Sequence, residues 1–277
     1  MNVLVTGAGG YIGRHVVKAL CDMGAEVKAV DLRTDGVDSR AVTLSYDLFR
    51  GEPDIYQKLG RPEACLHMAW RDGFVHNSDA HMEDLSAHYT FLHNMINGGL
   101  KHLAVMGTMH EIGYWEGVIQ ENTPCNPQSM YGIAKDSLRR SLFLLAEQHG
   151  ICLQWLRAYY IYGDDMRNRS VFTKICEAEK VGKATFPFTS GKNLYDFITV
   201  DELAQQLAAC VMQTEIAGII NCCTGNPVSL AEKVEEFIKE HRFSIRLDYG
   251  AFPDRPYDSP GVWGDSTKIK EIMCAER

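Results

Sequence analysis

The sequence contains no Cys-x-x-Cys pair, no apolar run approaching ~18 residues and no surplus of basic charge, and each absence removes a class of protein. Its nine cysteines are an odd number, scattered apart from one adjacent pair, Cys222-Cys223. That usage predicts reduced thiols and a cytoplasmic protein, not a disulfide scaffold or a zinc module. The chain opens directly into NVLVTG, without a basic segment, apolar run and cleavage site, so neither a leader nor a membrane partner is expected. Lys and Arg number 28 against 36 Asp and Glu, a formal charge of -8. This balance opposes the counterion release on which phosphate-backbone binding depends, so nucleic acid is not an expected partner. What remains is a chain of 277 residues, 45% hydrophobic and 23% charged, able to bury a large globular core.

Short β-branched or apolar runs alternate with helix-period segments through the first 160 or so residues, the pattern of βαβ units on a parallel sheet. Strands are predicted at 2–6, 26–31, 42–46, 64–68, 102–106 and 152–158, and helices at 11–22, 81–97 and 129–149. The fold class expected is therefore α/β, a Rossmann-type doubly wound parallel sheet. After Gly163 the rhythm changes, which suggests a dinucleotide-binding domain over 1–163 and a smaller substrate lobe over 164–277. Part of 195–223 could return to the main sheet, because GIINCC reads as a buried strand. The Gly- and Pro-marked tail from Tyr249 to Gly264 reads as a loop that wraps a ligand.

The first strand runs into Thr6-Gly7-Ala8-Gly9-Gly10-Tyr11-Ile12-Gly13 and straight on into a helix. Glycines at 7, 10 and 13 permit a tight turn and let pyrophosphate oxygens approach backbone amides at a helix N-terminus, with Tyr11 and Ile12 beside them. Eighteen residues past Gly13, Asp31 ends the second strand, where a carboxylate accepts hydrogen bonds from ribose hydroxyls and repels a 2′-phosphate. NAD is therefore the expected cofactor. Arg33, two positions on, leaves NADP open. Asp47-Leu48 follows the third strand and could meet the adenine.

Tyr131-Gly132-Ile133-Ala134-Lys135 stands at the start of the long helix, 23 residues after Thr108. Tyr and Lys at i and i+4 share a helix face, so the ammonium can favour tyrosinate and make a usable acid/base of a phenol whose ordinary pKa is ~10. His110, two residues past Thr108, is a candidate second acid/base. His76, His81, His88 and His93 lack the spacing of a ligand pair, so they read as solvated or substrate-facing and no metal is expected.

With these residues in view, the chain resembles the extended short-chain dehydrogenase/reductase family of sugar-nucleotide epimerases, dehydratases and reductases. His67-Met68-Ala69 is similar to the family's fourth-strand motif beside the nicotinamide, Arg157 through Gly163 to its sixth-strand segment, Tyr195 through Asp201 to its later strand-helix entry, and Arg255-Pro256-Tyr257-Asp258 to its diphosphate contact. The resemblance implies that Tyr131 is the catalytic acid/base, that Lys135 holds the cofactor ribose and tunes Tyr131, and that Thr108 hydrogen-bonds the reacting oxygen. Met68 and Ala69 would then face the cofactor, and Trp70, His88, Tyr160 and Arg255 the substrate.

Family dehydratases carry an Asp-Glu pair just after the catalytic Thr, where this chain has Met109 and His110. Dehydration thus loses its acid and base. The expectation is an NAD(P)-dependent enzyme on a nucleotide-linked sugar, reducing a 4-keto-6-deoxyhexose or running that reaction backwards. A 4-epimerase with the same triad is the alternative, a non-catalytic dinucleotide sensor a more distant one, and a homodimer paired through the long helix the expected assembly.

Overall fold

The first strand, β1 (Asn2–Thr6), is apolar on both faces and buried along most of its length, as a strand covered by helices on both sides must be. In the computed structural model, which describes residues 1–163, 168, 170–254 and 259–275, it lies near the middle of a seven-stranded sheet. Beside it are β2 (Glu26–Asp31), β3 (Val42–Ser45), β4 (Ala64–His67) and β5 (His102–Thr108), then the strands Cys152–Ala158 and Gly218–Cys222. Read across the sheet the order is Gly218–Cys222, Cys152–Ala158, β5, β4, β1, β2, β3, with every pairing parallel. The order reverses between β1 and β4. A crevice opens at the carboxyl ends of strands where such a reversal occurs, and ligands of open α/β sheets bind there.

Helix α1 (Gly13–Asp22) and the helices Val200–Val211 and Thr267–Ala275 cover one face, burying Val16, Leu20, Leu203, Leu207, Ile269 and Ile272. Helices Leu85–Gly98 and Met130–His149 cover the other through Phe91, Leu92, Met95, Leu138 and Leu142. A third apolar cluster, including Phe172, Ile175, Phe188, Val234, Phe237 and Val262, lies outside the sheet and forms the lobe.

A boundary at 163 does not divide the chain cleanly. After the lobe helix Val171–Lys180 and strand Thr185–Phe188, the chain returns to the main sheet for Val200–Val211 and Gly218–Cys222, then supplies the lobe helix Leu230–Glu240 before Thr267–Ala275 comes back again. The reason is apolar demand: nine residues of Val200–Val211 are buried, more than a one-sided surface helix can hide. The tail is also more ordered than expected. Gly261–Gly264 is a strand, largely buried, paired in parallel with Leu194–Tyr195 and with Gly117–Ile119, so this part of the tail packs and does not wrap.

Buried Asp196 staples the two regions together. Its carboxylate accepts the backbone N–H of Thr224 at 2.9 Å, of Gly225 at 2.9 Å and of Gly264 at 3.1 Å, and the Thr224 hydroxyl at 2.6 Å. The predicted 81–97 helix is broken into Ala80–Glu83 and Leu85–Gly98, with Asp84 between them held by the Arg71 guanidinium at 2.9 Å.

Candidate active site

At the carboxyl end of β1 the chain must turn into α1 in very little space. Gly7 adopts φ +70°, a left-handed conformation glycine takes without strain, and a Cβ there would stand 2.6 Å from the Ala69 nitrogen. A Cβ on Gly13 would stand 2.1 Å from the Gly7 carbonyl oxygen. Gly9, which the sequence reading passed over, is as constrained: its Cβ would lie 1.9 Å from the Arg33 carbonyl oxygen, and its N–H donates to Asp31 Oδ2 at 3.0 Å. Asp31 Oδ1 accepts from Leu32 N at 2.6 Å, so this carboxylate orders the end of β2 and the glycine loop together. Tyr11 reaches across with its hydroxyl to the Gly163 carbonyl.

This corner fits a dinucleotide. The N-terminus of α1 has no side-chain cap and no carboxylate in its first turn, so its positive dipole end meets the glycine loop uncompensated, as an anionic pyrophosphate requires. Of the other expected contacts, Arg33 is exposed, Leu48 is buried, and Asp47 turns its carboxylate onto the Phe49 N–H at 3.0 Å.

β4 locks onto β1 through a polar chain whose direction can be worked out. The Thr6 hydroxyl oxygen accepts from Met68 N at 3.1 Å and Ala69 N at 3.3 Å, so its own hydrogen goes to His67 Nδ1 at 2.8 Å. His67 Nε2 then donates to His88 Nδ1 at 3.0 Å. Burial holds both imidazoles below their ordinary pKa, His88 down to about 3, with the neighbouring Lys135 charge adding to the effect. The Trp70 ring lies on His88, 4.3 Å between centroids, and donates its indole N–H to His81 Nδ1 at 3.0 Å. His88 and His81 are thus buried and internally bonded, which corrects the solvated or substrate-facing reading; His88 is covered by Trp70. Among the described residues no group of His, Cys, Asp or Glu could hold a metal ion.

On the other side of the crevice Ser129 caps the helix Met130–His149, accepting Gly132 N–H at 3.1 Å. Gly132 has no room for a side chain, since a Cβ would sit 2.4 Å from the His110 carbonyl oxygen, and this close approach sets the first helical turn against the end of β5. Thr108 thereby stands near enough to the Tyr131 phenol to favour its anion. Lys135, buried on the same helix face, donates to the Met106 carbonyl at 2.8 Å and stands 3.9 Å above the Trp70 ring.

The electrostatics differ from the simple expectation. Burial pushes the Tyr131 phenol upward, opposed by Thr108, while Lys135 is pushed down by burial to about 7. Here Tyr131 is a proton donor, not a tyrosinate, because desolvation outweighs what nearby groups offer the anion. His110, also desolvated, is down at about 3 and neutral; its ring is 4.2 Å from that of His76, which stacks on Tyr131 at 5.5 Å. His76 also accepts Tyr131 N–H on its carbonyl at 2.9 Å, a role no sequence spacing signals. Met109 is buried.

Glu111 was missed as well. It is fully buried, and its Oε1 accepts both Thr108 N–H at 2.7 Å and Trp155 Nε1–H at 2.8 Å. Tyr160 is half-buried on the lobe side, its ring 4.3 Å from Tyr195. Arg255 lies outside the described residues.

The chain matches the profile of the NAD dependent epimerase/dehydratase family over residues 3–223. Over 274 residues it is 44% identical to a dTDP-6-deoxy-L-talose 4-dehydrogenase (NAD(+)) of Aggregatibacter actinomycetemcomitans, spanning 95% of this chain and 99% of that one. A UDP-glucose 4-epimerase of Azospirillum brasilense is 25% identical over 304 residues, covering 98% of this chain and 86% of its own length. Among solved structures, UDP-glucose 4-epimerase of Thermotoga maritima with UDP-glucose superposes with a TM-score of 0.83 at 25% identity, over 98% of this chain and 92% of that one. With the glycine loop, the seven parallel strands and most of the sequence matched, the chain belongs to the NAD dependent epimerase/dehydratase family and is an enzyme that uses NAD.

Proposed function

We propose that this enzyme interconverts the 4-keto and 4-hydroxy forms of a nucleotide-linked 6-deoxyhexose, as a 4-dehydrogenase and 4-keto reductase. The observation that carries this reading is the pairing of neighbouring Thr108 and Tyr131 with the absence of a carboxylate at positions 109 and 110. Glu111 does not replace one, because it is fully buried and turned toward Arg139 and Arg157. The glycine loop, Asp31 and Lys135 would hold NAD, which would supply or accept the hydride when bound. Thr108 and Tyr131 offer two hydroxyls to a single substrate oxygen, and Tyr131, kept protonated by burial, gives its proton as a ketone becomes an alcohol. Lys135 donates one N–H to the Met106 carbonyl, and its remaining N–H groups would orient the cofactor ribose.

The name of the Aggregatibacter relative supports a dTDP-linked 6-deoxysugar as substrate. The names of the 25%-identical relatives favour the second reading, a 4-epimerase with the same triad. We further propose a cytoplasmic homodimer. Free cysteines among the described residues suit a reducing compartment, and exposed Met82, Tyr89 and Ile133 on neighbouring helices suit self-association. No helix among the described residues is long and apolar enough to cross a membrane.

Following NADH absorbance with a dTDP-4-keto-6-deoxyhexose tests the reaction. Stoichiometric NADH loss is expected. Epimer formation without NADH loss would promote the epimerase, and a 4-keto-6-deoxy product from the parent nucleotide-hexose would overturn both readings.

A further inference from the structure

Beneath Thr108 lies a buried charged cluster that plays no part in the proton transfer proposed above. Glu111 Oε2 is 3.6 Å from Arg157 Nη2 and 3.6 Å from Arg139 Nε, and Arg157, like Glu111, is wholly buried. Oε1 accepts two N–H groups, from Thr108 and Trp155, while Oε2 faces two guanidiniums at ion-pair range without a hydrogen bond; burial raises the proton affinity of the carboxyl, and the Arg157 and Arg139 charges and the two N–H groups oppose that rise. Burying such a charge is costly unless its partners hold it firmly, and a carboxylate that only closed a three-residue turn could be replaced by a neutral cap on an exposed one. The turn is a reciprocal capping box: Thr108 Oγ1 accepts from the His110 backbone at 3.3 Å, and Glu111 returns to the Thr108 N–H. The carboxylate therefore fixes the Thr108 backbone, and the His110 N–H in the same turn fixes the Thr108 hydroxyl.

We infer that Glu111 is a positioning residue, a buried carboxylate flanked by Arg139 and Arg157 that grips the Thr108 backbone N–H and thereby orients the Thr108 hydroxyl beside Tyr131. The role rests on the Thr108–Tyr131 site proposed above. The charge has a second consequence, because Glu111 raises the proton affinity of both Tyr131 and Lys135. The groups facing Glu111 are Arg157 from the strand Cys152–Ala158, with Trp155 beside it, and Arg139 from the helix Met130–His149. Asp136 binds Arg139 at 2.6 Å and Cys125 accepts from it at 3.4 Å, so the opposing charges are all on the protein.

Four variants of the NAD-loaded enzyme test the role by kinetics with nucleotide-sugar across pH: Glu111→Gln, Glu111→Asp, Thr108→Val, and Thr108→Val with Glu111→Gln. Glu111→Gln is expected to lower kcat on the order of tenfold to a hundredfold through misplacement of the hydroxyl. In the Thr108→Val background the same change should cost less than about threefold, because the group it aims is gone. Removing the negative charge should also move the Lys135 limb of the kcat profile, near pH 7, to lower pH. Glu111→Asp keeps the charge but shortens the reach, so it should lose kcat with the limb unmoved. If Glu111→Gln does not fold, the pair Glu111→Gln/Arg139→Gln, which also removes one unmatched guanidinium, takes its place. Equal losses in both backgrounds, an unchanged kcat or an unmoved limb in Glu111→Gln would overturn the role. A Thr108→Val enzyme of wild-type rate would instead mean that the site reading itself is wrong.

Discussion

At the glycine loop the atoms crowding each position are backbone, whereas on the lobe side they are rings. A Cβ on Gly9 would meet the Arg33 carbonyl oxygen at 1.9 Å and one on Gly13 the Gly7 carbonyl oxygen at 2.1 Å, and neither neighbour can rotate aside. Tyr160, Tyr195 and Phe197 pack with centroids 4.3 to 6.0 Å apart, in a cluster where one aromatic can replace another with modest repacking. The two regions divide the enzyme's work accordingly. On the proposed reading, the cofactor lies against rigid backbone and the sugar against exchangeable side chains.

The largest effect should come where the two regions meet. Tyr131→Phe is expected to lower kcat about a thousandfold while leaving NADH affinity, read by fluorescence titration, close to wild type, since it removes a proton and little else. Lys135→Ala should damage both quantities. A Tyr131→Phe enzyme with wild-type turnover would mean that another group supplies the proton.

A smaller effect sharpens the contrast itself. Gly9→Ala forces a methyl group against the Arg33 carbonyl and should weaken NADH binding at least about tenfold, with a stability loss of about 1–3 kcal/mol from overpacking. Tyr160→Phe keeps the ring and should leave NADH affinity unaltered, changing at most KM for the sugar. The comparison fails if calorimetry shows the lobe variant to be the one that loses cofactor.

The smallest effect concerns acid. His67 and His88 are neutral in the folded protein, with His88 at about 3 against 6.5 when solvated, and burial is the main cause for both. Between those values the unfolded chain binds more protons than the folded one, so stability rises with pH across the window and is lost as pH falls below about 6.5. Each histidine contributes a slope of about 1.4 kcal/mol per pH unit well inside the window. Urea midpoints at pH 7.5 and 5.5 measure it, and His88→Gln should flatten the dependence. An identical slope in that variant would place the acid lability elsewhere, outside the β1–β4 junction.

Placements dictated by local backbone geometry were legible in the sequence. The glycine turn, the strand-end Asp31 and the Tyr131/Lys135 spacing all depend on contacts within one βα unit or one helical turn, and the strands at 2–6, 26–31 and 152–158 appear where the apolar pattern put them. The buried run GIINCC already suggested that part of 195–223 could return to the sheet, as Val200–Val211 and Gly218–Cys222 do, whereas the later return of Thr267–Ala275 was not legible, because local periodicity carries no information about which core an apolar face will join.

The sequence by itself determined that the chain folds as a parallel α/β sheet around a dinucleotide loop and carries a Tyr, Lys and Thr set, because short-range sterics and the alternation of strand and helix periods leave little choice. Only the tertiary structure decided that Tyr131 stays protonated, that His88 is a buried link to His67, and that Glu111 and Asp196 hold the site and the lobe in place. Each of these depends on desolvation or on partners from other elements: His67 and His88 are 21 positions apart, and Asp196 and Gly264 are 68 apart. Neither burial nor long-range pairing is written into the neighbours of a residue along the chain; both arise when the elements close on one another.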